Sequence, residues 1–360
     1  MPDSYKFSMK KNSIYIIIVF VFAAAAMWFL TRESKGTLDD KETGFAIQDT
    51  SLVTRIFIAD KMSNQVTLYR NSDGWYVDNI HKANDKIVEG FLSTMYRIKV
   101  KSPVPKIARD NVVKRMSSIG IKVEVYESSY RVNLFDKYKF FPYEKLAKVY
   151  YVGDVTQDNL GTYMLLEDAE HPYIVHIPGF RGFLSPRYSP KPDDWRSHVL
   201  FNQTLSDIAS VAIEFGEEPF ESFRVDINTS TGDYKLTRIM DNSEIINYDT
   251  LKVLNFLTSF NDLRYETRLN NIMSAIKQDS IINSEPLYEI TLIEESSDTT
   301  YIAGFYKKSL DESVREAAYF EFIPYDKDRF YGLANNGEDF VLLQYYIFDR
   351  VLFPLSYYTD

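Results

Sequence analysis

Residue types that commonly carry catalysis or bind metals occur in this 360-residue chain, but their spacing does not bring them together. The chain has no cysteine, which excludes a thiolate nucleophile, a thiolate zinc site and a disulfide. None of its four histidines forms an i, i+4 pair. His171 and His176 flank a predicted strand, and their odd spacing would place them on opposite faces. The histidines therefore predict no zinc site.

Acidic pairs are a second possible source of chemistry, because two carboxylates can cleave a glycosidic bond. The pairs are Asp193-Asp194, Glu217-Glu218, Glu294-Glu295 and Asp326 with Asp328. Adjacent acids on predicted loops are mostly solvated turn residues, and the last pair has too few ligands in register for a calcium loop. The glycine motifs of hydrolases, P-loop proteins and dinucleotide-binding proteins are absent. These observations predict no enzyme activity and no cofactor.

The best candidate site is the proline-rich segment 179–204, in which basic and aromatic residues lie among prolines. Arginine and tryptophan are common anchors of protein interfaces. The residues predicted to form a partner-docking surface are Arg181, Arg187, Trp195, Arg196 and His198. The alternative is an inter-domain strap in which Trp195 and Phe183 pack on the two cores. The two interpretations are compatible.

An apolar segment near the N-terminus, residues 14–31, is long enough to cross a bilayer of roughly 30 Å as a helix. Lysines precede it and mixed charges follow, which predicts a cytoplasmic N-terminus in the bacterial inner membrane and a periplasmic ectodomain. Ile14, Trp28 and Leu30 would belong to this membrane anchor. The alternative is a cleaved signal peptide with an Ala-x-Ala site in 23–26. The apolar run continues past these alanines, which favours an anchor.

Beyond the anchor, the chain shows the same order of predicted elements twice. Two strands, a turn and a returning strand precede one amphipathic helix, and several strands follow it. Phe256-Leu-Thr-Ser-Phe260 matches Phe91-Leu-Ser-Thr-Met95 without a gap. Antiparallel meanders interrupted by one helix predict the α+β class, as two similar sheet-plus-helix units produced by tandem duplication. Two such units would form a cleft or a platform suited to binding.

These patterns divide the chain into segments with different predicted roles. The segments are a cytoplasmic tail (1–13), a transmembrane anchor (14–31), a tether (32–46), a first α+β unit (47–178), a proline-rich connector (179–204) and a second α+β unit (205–360). The aromatic tail over 340–358 predicts a final buried strand or helix. A net charge of −10 without a long basic run makes nucleic acid an unsuitable partner.

Several short motifs are spread along residues 50–270. They are Val66–Arg70 followed by Gly74-Trp75-Tyr76, the helix Ile87–Ile98, Tyr151–Asp154 with Gly161–Tyr163, and Trp195–Leu200 leading into Asp207–Ile213. In this order they resemble a bacterial family of unknown function that has a membrane helix and a repeated α+β ectodomain. That family is often associated with ABC transporters of the gliding-motility type. The resemblance implies an accessory or scaffold subunit of the cell envelope, with no catalytic residues.

The sequence therefore favours a membrane-anchored, non-catalytic binding or scaffold protein. Its expected partners are the lipid bilayer, through residues 14–31, and envelope or transporter proteins. The alternative is a glycan-binding or glycan-processing envelope protein, which is suggested by acids beside an aromatic residue at Asp193-Asp194-Trp195. Binding of cell-wall or capsular sugars would separate the two hypotheses.

Overall fold

The computed structural model of the chain shows a mostly β protein and describes residues 21–22, 43–134, 138–228, 231–295, 300–309 and 325–359. The described residues form two nine-stranded sheets and one two-stranded sheet. The predicted class, α+β with a transmembrane helix, is therefore wrong. Sheet dominates partly because two strands run for 14 and 18 residues. The sequence pattern predicts only shorter strands there, over 121–126, 131–135 and 148–152.

The predicted membrane anchor is also contradicted. A membrane-spanning helix needs about 20 mostly apolar residues, and no helix in the described ranges is long and apolar enough to cross a bilayer. Of the segment 14–31, only Val21 and Phe22 are described, so Ile14, Trp28 and Leu30 lie outside the described residues. The inner-membrane location was predicted from this anchor and is corrected with it.

The chain divides into two compact units between Trp195 and Arg196. Unit 1 has one sheet, in the order β4-β3-β2-β1-β6-β7-β8-β9-β5, and all its neighbouring strands are antiparallel. Its strands are β1 (Val53–Ala59), β2 (Gln65–Asn71), β3 (Gly74–Val77), β4 (His81–Lys82), β5 (Lys99–Pro103), β6 (Ile121–Leu134), β7 (Tyr138–Val155), β8 (Thr162–Leu166) and β9 (Tyr173–His176). Its helices are α1 (Asp85–Arg97) and α2 (Lys106–Ile119), with 3-10 turns at Thr50–Leu52, Ser185–Arg187 and Pro192–Asp194.

Unit 2 has a large sheet in the order β14-β13-β12-β11-β17-β18-β19-β20-β16, and β10 pairs with β15 in a small second sheet. Its strands are β10 (Val199–Phe201), β11 (Ile208–Phe215), β12 (Phe223–Asn228), β13 (Asp233–Arg238), β14 (Glu244–Ile245), β15 (Leu263–Arg264), β16 (Thr267–Arg268), β17 (Tyr288–Glu294), β18 (Thr300–Tyr306), β19 (Arg329–Ala334) and β20 (Asp339–Gln344). Its helices are α3 (Thr250–Thr258), α4 (Ala275–Ile282), α5 (Tyr345–Phe348) and α6 (Leu355–Thr359), with 3-10 turns at Leu205–Asp207, Pro219–Glu221, Ser259–Asp262, Asn335–Gly337 and Asp349–Val351.

The two large sheets have the same strand order, and each is covered in the same way. In unit 1, apolar residues of α1 at helical spacing, such as Val88, Phe91 and Met95, pack into the main core. In unit 2, α3 contributes Val253 and Phe256 to the corresponding core. A smaller apolar cluster on the other face of each sheet is covered by α2 in unit 1 and by α4 in unit 2.

Each unit ends in a segment that closes over its helix: residues 184–195 in unit 1 and 347–358 in unit 2. The backbone N–H of Asn84, the N-cap of α1, donates to Trp195 O, and that of Asp249, the N-cap of α3, donates to Tyr358 O, both at 2.8 Å. The Trp195 ring packs edge-on to Phe91, with ring centroids 4.9 Å apart. The Tyr358 ring lies in the same way 5.8 Å from a phenylalanine of α3. The closing segments are therefore equivalent parts of the two units.

Candidate functional site

The predicted docking residues divide between two units and two environments. Trp195 is 2% exposed, and its Nε1 donates to Ser189 O at 2.8 Å, so the ring belongs to the core of unit 1. Arg181 and Arg187 are exposed in the same unit. The structure thus places Trp195 as a packing residue of unit 1, whereas Phe183, which the strap interpretation also packed into a core, is 37% exposed.

The other two predicted residues lie in unit 2. The His198 ring stacks on Tyr265, with centroids 4.8 Å apart. Arg196 is buried, and its Nη2 donates to both carboxylate oxygens of Asp339, to Oδ2 at 2.8 Å and to Oδ1 at 3.1 Å. Since Arg196 points into unit 2 and Trp195 into unit 1, the five residues do not form one surface on either unit.

Asp339 is the centre of a buried charge network in unit 2. Besides Arg196, it accepts hydrogen bonds from Arg268 Nε at 2.5 Å and from Asn335 Nδ2 at 2.6 Å. Burial opposes ionisation of the Asp339 carboxyl, but the hydrogen bond from Asn335 and the two guanidinium charges outweigh it and lower its pKa. The network joins the start of unit 2 to its strands β16 and β20, which is a structural role.

An exposed apolar surface on strands β6 and β7 was missed by the sequence reasoning. Strands β6 and β7 pair from Ile121 to Leu134, and their outer part extends as a two-stranded ribbon, which we call the arm (residues 128–134 and 138–146). Phe140 is 50% exposed and Phe141 69% exposed. The other exposed apolar side chains of the arm are Tyr130, Val132, Tyr143 and Leu146. Exposed apolar patches of this kind commonly mark interaction sites.

The register of the arm separates its residues into two faces. Residues opposite each other in an antiparallel pair point to the same side. Val132 is opposite Phe140 and Tyr130 is opposite Pro142, so these four residues form an apolar face. Arg131 alternates with them and lies on the other face, where its Cζ is 6.0 Å from the Tyr143 ring centroid. Lys145 is at an alternate position of β7 on this second face, whereas Lys139 Nζ lies 5.5 Å from the ring centroid of Tyr130. Basic side chains therefore lie beside aromatic rings of the arm.

The backbone of the arm offers unpaired edges. The pairing of β6 with β1 ends at Glu127, and the pairing of β7 with β8 begins at Tyr150. Within the described part of the chain, neither outer edge of the arm pairs with a further strand. Exposed strand edges accept an added strand from a partner.

An ion pair fixes the base of the arm. Glu144 accepts hydrogen bonds from Arg55 and from Thr54 Oγ1, the latter at 2.9 Å. The Arg55 guanidinium also lies over the Tyr126 ring, with its Cζ 3.6 Å from the centroid. The hydrogen bond from Arg55 holds the pKa of Glu144 below its usual value, although partial burial opposes this. The arm is thereby tied to β1 at its base.

A cavity of about 380 Å³ lies between α1 and the closing segment of unit 1. Lys86, Gly90 and Thr94 line it from the helix, and Arg187 and Asp194 line it from the closing segment. Its floor is apolar and includes Phe91 and Trp195, with Ile87 and Pro186 at its sides. Its volume lies within the range of small-molecule sites, about 300–1,000 Å³.

Metal binding finds no support in the described ranges, where no cluster of three or more histidine, aspartate or glutamate side chains could hold an ion. No protein-family profile, curated protein or solved structure matches the chain. The absence of enzyme activity stays a prediction from the sequence.

Proposed function

We propose that this chain is a non-catalytic binding or scaffold protein and that the arm is the surface that contacts its partner. The observation that carries the proposal is the exposure of six apolar side chains on a ribbon with both edges unpaired. A folded protein gains nothing from exposing this surface to water, since burial stabilises by about 25 cal/mol per Å². Contact with a partner would recover that free energy.

The charges of the arm favour an acidic protein as the partner. The arm carries Arg131, Lys139 and Lys145, and its acid Glu144 is already paired with Arg55. The chain as a whole has a net charge of −10, so the arm is a basic region of an acidic protein. Charge complementarity of this kind mainly sets the association rate and the choice of partner.

The sequence motifs suggest where to look first for that partner. They resemble proteins associated with ABC transporters, so a transporter subunit with an acidic surface is the first candidate. The glycan alternative loses its motivating observation, because Trp195 is buried and cannot stack on a sugar.

In-cell photo-crosslinking of the full chain tests the proposal. A photoreactive amino acid replaces Phe140 in one variant and Met62, which is 80% exposed and outside the arm, in the control variant. We expect Phe140 to capture one identifiable protein with an acidic surface and Met62 not to capture it. Identical capture from both positions, or capture only of a second copy of this chain, would contradict the proposal.

The captured partner then allows a quantitative test. Replacing Phe140 and Phe141 with serine removes two exposed aromatic anchors. The loss of each anchor, at about 2 kcal/mol, corresponds to a roughly 30-fold loss of affinity. The matched control is Met62→Ser, which should leave the affinity unchanged. Affinity should also fall as salt rises, because the charges of the arm are exposed.

A further inference from the structure

The cavity of unit 1 is built around an arginine held in place from two sides. Arg187 Nη1 donates to Thr94 Oγ1 at 2.8 Å, and the Arg187 Cζ lies 5.0 Å from the Phe180 ring centroid. Thr94 is itself fixed, because it is buried and its hydroxyl donates to Gly90 O at 2.9 Å. The remaining N–H groups of Arg187 have no hydrogen-bond acceptor in the described part of the chain. A guanidinium fixed in this way is preorganised to bind an anion.

A second cation lines the cavity from the helix side. Lys86 is exposed in the first turn of α1, and none of the described residues forms an ion pair with it. Asp194 is the one carboxylate of the lining, and it accepts a hydrogen bond from Ser189. Two cations against one carboxylate leave one net positive charge, which suits a ligand with a single negative charge.

The equivalent positions of unit 2 carry aromatic rings. Residue numbers in the two closing segments differ by 163, so Pro190 corresponds to Phe353 and Asp194 to Tyr357. In unit 2 the Phe353 and Tyr357 rings stack, with centroids 4.2 Å apart and planes 17° apart. Lys252 Nζ lies 4.5 Å from the Tyr357 ring centroid. Unit 2 therefore carries an aromatic ring, Tyr357, where unit 1 carries the cavity residue Asp194.

Gly90 keeps the floor of the cavity open from the helix side. A Cβ atom added at Gly90 would meet no atom within 4 Å, so the missing side chain leaves accessible space. Glycine in a helix interior costs stability relative to alanine, roughly 0.5–1 kcal/mol. The equivalent residue of α3 is Asn255.

From these observations we infer that unit 1 binds a small organic anion with an aromatic or other flat apolar body in this cavity. The anionic group contacts Arg187 and Lys86, and the apolar body lies over Ile87 and Phe91. This binding site is separate from the arm and does not depend on the arm's function.

Phenylacetate and its neutral analogue phenylacetamide are the probes, measured on the full chain by ligand-detected saturation-transfer NMR. We expect phenylacetate to bind with a Kd of about 1 mM, as its ten non-hydrogen atoms would allow. Phenylacetamide should bind at least about tenfold more weakly, because it lacks the charge that Arg187 and Lys86 recognise. Arg187→Gln should remove this difference between the two probes.

Gly90→Leu fills the cavity and should abolish binding of phenylacetate. The matched control is Asn255→Leu at the equivalent position of unit 2, which should leave the Kd unchanged. Phe140→Ser should also leave it unchanged, so that failure here and failure of the arm proposal remain distinguishable. Equal affinity for the two probes, undiminished binding by the Gly90→Leu variant, or no binding of phenylacetate at 10-fold the expected Kd (about 10 mM) would overturn the inference.

Discussion

Replacing Asp339 with asparagine should strongly destabilise unit 2. The Asp339 carboxylate accepts four hydrogen bonds, two from Arg196 and one each from Arg268 and Asn335. The Asp339 side chain is 2% exposed and that of Arg196 is 7% exposed, so the guanidinium of Arg196 would lose its carboxylate partner inside the protein. Breaking a buried pair from one side costs about 3–5 kcal/mol.

The loss of stability in unit 2 can be measured by hydrogen–deuterium exchange of the full chain with mass spectrometry, because this method reports the exchange of each unit separately. Amides of β16 and β20 should exchange faster in Asp339→Asn than in the wild type. In a thermal scan, a loss of about 3 kcal/mol would lower the midpoint for a unit of this size by about 6–12 °C.

The control for this prediction is Asp226→Asn. Asp226 pairs with Arg224 in the same unit, but their side chains are 39% and 44% exposed, so the loss should be below about 1 kcal/mol. If Asp339→Asn destabilised the chain no more than Asp226→Asn, our account of Asp339 as the centre of a buried network would be refuted.

Three further predictions concern pH and packing. The folded-state pKa of Asp339 lies below its usual value of 3.8. The contribution of the ionised carboxylate to the free energy of unfolding is therefore complete above pH 3.8 and is lost as the pH falls through the lower folded-state pKa. Asp339→Asn should flatten the acid end of a curve of stability against pH. Gly90→Ala should raise the free energy of unfolding of unit 1, measured by urea titration, by about 1 kcal/mol, because the added methyl has free space. Gly332→Ala should instead destabilise by about 1–3 kcal/mol, because its Cβ would lie within 2.4 Å of Leu343 Cδ1 in a packed core; equal effects of the two glycine variants would contradict this reasoning.

The sequence could predict the amphipathic helix α1 because its buried residues recur at spacings of three and four. It could not predict that the arm extends as a long exposed ribbon. The prediction of a half-buried strand depends on alternation between one buried and one exposed face, and the arm has no buried face. Its residues therefore gave only a short strand prediction over 131–135, although the run Tyr138-Lys-Phe-Phe-Pro-Tyr143 could have indicated an exposed aromatic surface.

The proline-rich segment shows what rules based on local sequence can and cannot predict. Proline disfavours a long helix or a central strand, and the described structure there contains only short 3-10 turns before β10. Those rules could not show which core each aromatic side chain joins, because that depends on contacts with α1, which lies about 100 residues earlier in the chain.

The comparison of the two closing segments explains why Trp195 is a poor docking residue. Trp195 and Tyr358 occupy equivalent positions, and each accepts a backbone hydrogen bond from the N-cap of its own helix. A residue needed at the same place in both units is explained by the packing of each unit, without any partner. The arm differs from Trp195, because its exposed aromatic residues make no comparable contribution to the core of unit 1. Their exposure is the feature that folding alone does not explain, and it is the reason to look for the partner there.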